Sequence, residues 1–223
     1  MKLTIAFDGP AGAGKSTVAR LVSKRLGYRY IDTGAMYRAI TLKAINTLEN
    51  IEDDIDGLID LTKETLISFD EDGRVYLDGN DVSDAIRSPE VGNWVSIVAR
   101  VREVREVLVG IQRELASGGG VVVDGRDIGT VVLPDADLKI FLTASLEERA
   151  CRRFNELCEK GFQVSKEAIK EEIEKRDKID SQREVGPLTV ATDALVIDTT
   201  HLSIEDVVER VISACKKSCS YGK

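Results

Sequence analysis

Short apolar runs alternate along this chain with longer stretches whose apolar residues recur every three or four positions. Leu3 to Phe7 is the first such run. A glycine-rich segment follows, and then Val18, Leu21, Val22 and Leu26 fall at helical spacing, with Gly27 placed to stop the helix. Tyr28 to Ile31 reads as a second strand, and Asp32-Thr33-Gly34 turns the chain into a helix bearing Met36, Ile40 and Ile45. Further on, Val121 to Asp124, Leu138 to Leu142 and Ala194 to Asp198 have the composition of buried parallel strands. Ser145 and Ser203 are sited as N-caps of the helices that follow the last two, the final helix running to about Ala214 before a polar tail frays. Strands alternating with helices predict an α/β fold, a parallel sheet covered by helices on both faces.

One region breaks this rhythm. Residues 52–66 predict a helix with Ile55, Leu58, Ile59 and Leu66 apolar, after which Ser68 to Leu77 reads as two short strands about Glu71-Asp72-Gly73. Asp78 to Asp81 supplies a further turn, so an inserted lobe with a small antiparallel sheet is expected here. Helical spacing returns from Pro89 to Ala116, with Trp94, Ile97, Val98, Val101, Val104, Leu108, Ile111 and Leu115 on buried faces. Ser96, Arg102 and Arg105 read there as solvated helix positions.

Composition adds boundaries. The 223 residues suffice for one domain with inserted lobes or two small domains. With 31 Lys+Arg against 39 Asp+Glu the formal charge is −8, which argues against a general binder of nucleic acid or membrane surfaces. An anionic ligand must therefore meet a local basic cluster. No stretch has the length of a membrane span or the apolar core of a signal peptide, so a cytoplasmic protein is expected. Cys151, Cys158, Cys215 and Cys219 form no CxxC pair and read as reduced thiols. His201, far from the other candidate residues, reads as a surface side chain.

The strongest chemical signal is Gly9-Pro10-Ala11-Gly12-Ala13-Gly14-Lys15-Ser16-Thr17, which satisfies the phosphate-loop pattern between a strand and a helix. Glycines allow the backbone to wrap an anion, the helix beginning near Lys15 directs unpaired N–H groups at it, and Lys15 reaches the outer phosphates while Ser16 meets magnesium. A dinucleotide fingerprint fails, because Thr17 stands where that pattern requires a third Gly or Ala. Asp124 closes a buried strand at the end where α/β sheets bind ligands. It either holds magnesium through water or stabilises the adjoining loop. The helix after Ser145 carries Arg149, Arg152 and Arg153, and the charged segment from Ser165 carries Arg176 and Arg183 on one face with Asp180 between them.

Four blocks in this order, Gly9 to Thr17, Asp32 to Arg38, Gly125-Arg126-Asp127-Ile128-Gly129-Thr130-Val131-Val132 and Glu174-Lys175-Arg176-Asp177, resemble the bacterial cytidylate kinases over nearly the whole chain. The resemblance implies a P-loop NTPase-type sheet and phosphorylation of CMP and dCMP by ATP with Mg2+. It implies a core (1–32, 106–150, 184–223), a monophosphate-binding lobe (33–105) and a lid (151–183), in a monomer. Ser96, Arg105 and Asp127 match residues that read the cytosine edge. Thr33 keeps the hydroxyl of a serine position, and Arg38, Arg126 and Arg183 match residues binding the acceptor phosphate. Arg176 and Asp180 match residues around the ribose. Lys15, Arg126, Arg176 and Arg183 would carry the charge of the transferring group. Ile179 departs from the family by placing an apolar residue where charge is frequent in the lid. The alternatives are a kinase of the same fold acting on AMP, UMP or shikimate, or a nucleotide-dependent switch. The chain contains no Asn-Lys-x-Asp tetrad of the kind that reads guanine in GTPase switches.

Overall fold

The structure, a computed structural model, describes residues 2–70 and 73–221, with side chains as far as residue 218. The predicted turn residues Glu71 and Asp72, and the side chain of Cys219, lie outside this description. In chain order the elements are β1 (Thr4–Asp8), α1 (Lys15–Leu26), β2 (Arg29–Asp32), α2 (Thr33–Thr47), α3 (Ile55–Lys63), β3 (Ile67–Phe69), β4 (Val75–Leu77), β5 (Asn80–Asp81), α4 (Pro89–Val98), α5 (Arg102–Ala116), β6 (Val121–Asp124), β7 (Leu138–Thr143), α6 (Leu146–Glu159), α7 (Lys166–Gln182), β8 (Leu195–Asp198) and α8 (Ile204–Tyr221). The chain divides into two compact units, residues 1–30 with 119–223, and residues 31–118.

The larger sheet has the order β2-β6-β1-β7-β8. Its central strand β1 is parallel to both neighbours, Ile5 lying opposite Val122 on one side and Leu138 on the other. Ile5, Phe7, Val122, Ile140 and Leu142 are buried in one cluster with Val18, Ala19 and Val22 of α1 and Val207, Val208 and Val211 of α8. Full burial of a side chain such as Phe7 contributes on the order of 2–3 kcal/mol, so this apolar layer fixes the height at which the strands end. Those ends carry Asp8 on β1 and Asp124 on β6. Helix α1 begins immediately after the glycine-rich loop and stops at Gly27, whose φ of 65° suits a residue without Cβ.

The second unit packs α2, α3, α4 and α5 around Met36, Ile40, Leu58, Ile86, Val95, Val98, Val104 and Leu108. Beside them stands the antiparallel sheet β3-β4-β5. Its second hairpin corrects the expectation of a plain turn at Asp78 to Asp81. Asp78 (φ 49°) and Gly79 (φ 84°) form the two-residue loop, and Leu77 pairs with Asn80. An Asp-Gly pair with both residues at positive φ suits the twist of a tight hairpin.

Three boundaries also differ from expectation. The helical stretch from Pro89 to Ala116 is two helices, because Arg100 and Val101 donate to Ile97 and Val98 in tight turns and Val101 then turns to extended backbone. Helix α5 packs on α3 and α2 and belongs to the second unit as far as Gly118, so residues 106–118 do not fall with the sheet. The last helix runs to Tyr221, beyond Ala214. No helix among the described residues is long and apolar enough to cross a membrane.

Candidate active site

The phosphate loop takes its shape from glycine and from the side chains behind it. Gly9, Gly12 and Gly14 have φ of 141°, 75° and 87°. At Gly9 the need for glycine is absolute, since a Cβ there would stand 1.9 Å from the carbonyl oxygen of Leu142 on β7. Lys15 donates to the carbonyl of Pro10 at 2.8 Å, Arg149 Nη1 to that of Ala11 at 3.0 Å, and Thr199 Oγ1 to that of Ala13 at 3.2 Å. Arg152 in turn donates to Thr199 through Nη1 at 3.0 Å and Nη2 at 2.7 Å. With these carbonyls held by side chains, the amides of the loop remain for an anion.

Lys15 is buried, and its ammonium is pushed well below its usual pKa by burial and by Arg126, against the pull of Asp124 and Asp8. A bound polyphosphate would push it back up. Ser16 Oγ donates to Asp124 Oδ2 at 2.6 Å, and the other oxygen, Oδ1, accepts from Tyr30 at 3.2 Å. A hydroxyl and a carboxylate in direct contact at the N-terminus of α1 form a hard-oxygen pair that fits a magnesium ion keeping most of its waters.

The segment after β6 turns on Asp8. Its Oδ1 accepts from Ile128 N–H at 2.7 Å and its Oδ2 from Gly129 N–H at 2.8 Å. Burial pushes the Asp8 carboxyl up to about 6, although these two N–H groups pull it down. The backbone from Ile128 to Val132 forms one wide helical turn, with Val131 and Val132 both donating to the Asp127 carbonyl. Arg126 and Asp127 therefore leave the sheet in a fixed direction. Arg126 Nε donates to Asp180 Oδ2 at 2.9 Å, and Arg183 Nη2 to Asp127 Oδ1 at 3.2 Å. Burial pushes the Asp180 carboxyl up, but Arg126, Arg176 and Arg183 outweigh it and hold it below its usual value. The structure thus brings Arg126, Asp127, Asp180 and Arg183 together, and the Arg176 charge acts on both Asp180 and Lys15.

In the second unit, Asp32 caps α2 by accepting from Ala35 N–H at 2.8 Å and pairs with Arg38 Nη2 at 3.0 Å. Arg38 Nε is buried with no acceptor among the described residues. Thr33 is buried at the start of the same helix. Ser96 and Arg105 correct the solvated reading, for both are buried, Arg105 to 1% exposure. Arg105 donates to the Ala99 carbonyl at 3.4 Å and lies over the Tyr37 ring at 5.6 Å. Arg102 is exposed, as expected of it.

Sequence reasoning assigned no role to Asp8, Tyr30, Thr199 or Asp177, and read Arg149 as one more charge on a polar helix. The position of Asp8 at the end of β1, one residue before the loop, was the only local signal available for it. Arg149 is buried, with Nε on the Ala144 carbonyl at 3.1 Å and Nη1 on Asp177 Oδ2 at 2.6 Å as well as on Ala11.

A parallel sheet with a phosphate loop after its central strand and arginines converging beside it defines a P-loop kinase fold. Solved structures agree. Shikimate kinase from Bacteroides thetaiotaomicron is similar at TM-score 0.51 and 14% identity, over 97% of this chain and 99% of that one. Shikimate kinase from Acinetobacter baumannii is similar at TM-score 0.50 and 17% identity, over 97% and 94%. At these identities the likeness concerns the fold alone. Sequence is more specific: residues 5–217 match the Cytidylate kinase family, and the chain belongs to that family. The Cytidylate kinase of Caldanaerobacter subterraneus subsp. tengcongensis is 55% identical over 218 residues, 98% of this chain and 96% of the relative. That of Bacillus cereus is 56% identical over 215 residues, 95% of each.

Proposed function

We propose that this protein transfers the γ-phosphoryl group of ATP directly, in line, to CMP and dCMP, giving CDP and dCDP. The observation that carries the reading is the arginine–carboxylate cluster of Arg126, Asp127, Asp180 and Arg183, in the same unit as the buried Lys15. Phosphoryl transfer needs alignment and charge neutralisation more than covalent help, and this set supplies cations around fixed carboxylates.

In this reading the amides of Gly9 to Thr17 and the Lys15 ammonium bind the donor phosphates. Ser16 and Asp124 hold Mg2+, Ser16 directly and Asp124 through water, and the ion would bridge phosphate oxygens and offset their charge. Arg38, Arg126 and Arg183 bind the acceptor phosphate, and the unpartnered Nε of Arg38 supports that role. Arg176 and Asp180 face the ribose. Thr33, Ser96, Arg105 and Asp127 bind the nucleoside. A carboxylate at Asp127 accepts from the exocyclic amino group of cytosine, which uracil lacks, and Arg183 fixes its orientation. The acceptor lobe is residues 33–105, and residues 151–183 act as the lid that excludes water. The protein works as a monomer in the cytoplasm, where ATP and nucleoside monophosphates are at hand. The free thiols of Cys151, Cys158 and Cys215 suit that compartment.

The test is a panel of CMP, dCMP, UMP and AMP in a coupled ADP-release assay, with Lys15→Ala as control. CMP and dCMP are expected to be the best acceptors, and Lys15→Ala to lower kcat by about 10³-fold with folding intact. Preference for AMP overturns the substrate, and unchanged turnover in Lys15→Ala overturns the donor site.

A further inference from the structure

Arg149 has no substrate in the reaction proposed above, yet its buried guanidinium joins three parts of the first unit. Nε donates to the carbonyl of Ala144, just beyond β7, at 3.1 Å. Nη1 donates to the carbonyl of Ala11 in the phosphate loop at 3.0 Å and to Oδ2 of Asp177 on α7 at 2.6 Å. A Cβ on Gly12 would stand 3.0 Å from Arg149 Cβ and 3.1 Å from its carbonyl oxygen, so the backbone of α6 also presses on the loop. Asp177 follows Arg176 and precedes Asp180 and Arg183, the residues of α7 and its end that face the Arg126 cluster.

We propose that Arg149 and Asp177 are positioning residues that hold α7 in register with the phosphate loop when the lid is closed, so that the acceptor-side arginines and the donor-side amides are aligned for transfer. The inference rests on the kinase reading. The chemistry favours positioning over simple stabilisation. Asp177 places one carboxylate oxygen on Arg149, while its Oδ1 is buried without a donor among the described residues. A carboxylate satisfied on one side only is a poor stabiliser of a fold, and such pairs are best attested where they fix a register. The planar guanidinium serves that purpose because its N–H groups point in fixed directions, so the Ala11 and Ala144 carbonyls and Asp177 cannot shift independently. A displacement of about 1 Å between donor and acceptor groups is enough to cost a large part of the rate.

Asp177→Asn, Arg149→Lys and the double variant test this in steady-state kinetics with CMP and ATP. Asp177→Asn is expected to lose about tenfold or more in kcat, with KM for both substrates changed by no more than about twofold, and Arg149→Lys, which also loosens the Ala11 carbonyl, to lose at least as much. The double variant is expected to lose no more than Arg149→Lys alone, because the link to Asp177 is already broken there. In Asp177→Asn the Arg149 bond to the Ala11 carbonyl remains, so KM for ATP stays at the wild-type value. The proposal is overturned if Asp177→Asn keeps wild-type kcat, if the losses multiply in the double variant, or if KM for ATP rises in parallel with the loss of kcat in Asp177→Asn. Asp177→Asn preserves shape and decides the matter should Arg149→Lys not fold. A wild-type protein inactive on CMP overturns the kinase reading and this inference together, whereas an active wild type with an indifferent Asp177→Asn overturns this inference alone.

Discussion

The phosphate loop and the arginine–aspartate cluster of the same unit handle charge by opposite means. In the loop, Lys15, Arg149 and Thr199 hold the carbonyls of Pro10, Ala11 and Ala13, which leaves the backbone amides to meet an anion. In the cluster, side chains do the work, Arg126 on Asp180 and Arg183 on Asp127. A backbone site has to be written in consecutive residues, since only their φ and ψ form it. A side-chain site is assembled from positions more than fifty residues apart, each unremarkable where it stands. The first kind tolerates no side chain at Gly9; the second is open to tuning one side chain at a time.

That contrast can be broken at its strongest point by Gly9→Ala. Its Cβ would overlap the Leu142 carbonyl at 1.9 Å, at a φ of 141°. The expected result is a loss above about 4 kcal/mol in stability, or no folded protein, in thermal unfolding. A variant that folds normally would show that the loop can be set without glycine. Arg183→Gln probes the other kind of site and should act on function before fold. It removes a cation from Asp127 and Asp180, and kcat/KM for CMP is expected to fall by about 10²-fold with little change in KM for ATP. A parallel rise in KM for ATP would show that the two regions are not separable in this way.

The smallest effect sharpens the boundary between the two, for Asp8 belongs to both, ending the strand before the loop and anchoring the segment that carries Asp127. Its folded-state pKa is raised from 3.8 to about 6. The folded protein therefore favours the protonated form. The stability Asp8 contributes is fully present below about 4 and is lost as pH rises through about 6. Ionised Asp8 thus costs the neutral protein up to roughly 3 kcal/mol. Asp180, held low by its arginines, has the opposite sign and loses its contribution only as pH falls through its depressed value. The difference in unfolding free energy between wild type and Asp8→Asn, measured in urea from pH 4 to 8, should change between about 4 and 6 and level off above. Activity should decline below about 6, as protonation frees one of the N–H groups of Ile128 and Gly129. A difference that does not vary with pH would remove Asp8 from this account.

Much of the fold was legible because its signals are local. The alternating apolar runs marked every strand of the larger sheet, and Ser145 and Ser203 each accept an N–H three residues on, from Glu148 and Asp206. The break between α4 and α5 was not legible, since no Gly or Pro interrupts Val98-Ala99-Arg100-Val101 and the apolar spacing continues across it. The β4–β5 hairpin was legible in principle from Asp78-Gly79, but a two-residue strand offers almost no pattern. In the candidate site, Arg105 reads as a surface charge because burial of a guanidinium depends on the Tyr37 ring and the Ala99 carbonyl, which tertiary packing brings to it. Arg149 failed for the same reason, its partners Ala11 and Asp177 lying far away on either side in the chain.

At Gly9 the loop and strand β7 meet backbone to backbone, with no side chain between them. Interdigitated side chains yield a little under load, whereas two backbones in contact do not. The donor site consequently has no compliance of its own. Its stiffness is that of the sheet, and the phosphate amides sit wherever Leu142 sits. What adjusts to an incoming substrate is then the side chains and lid around the loop, while its Gly9 end follows the sheet.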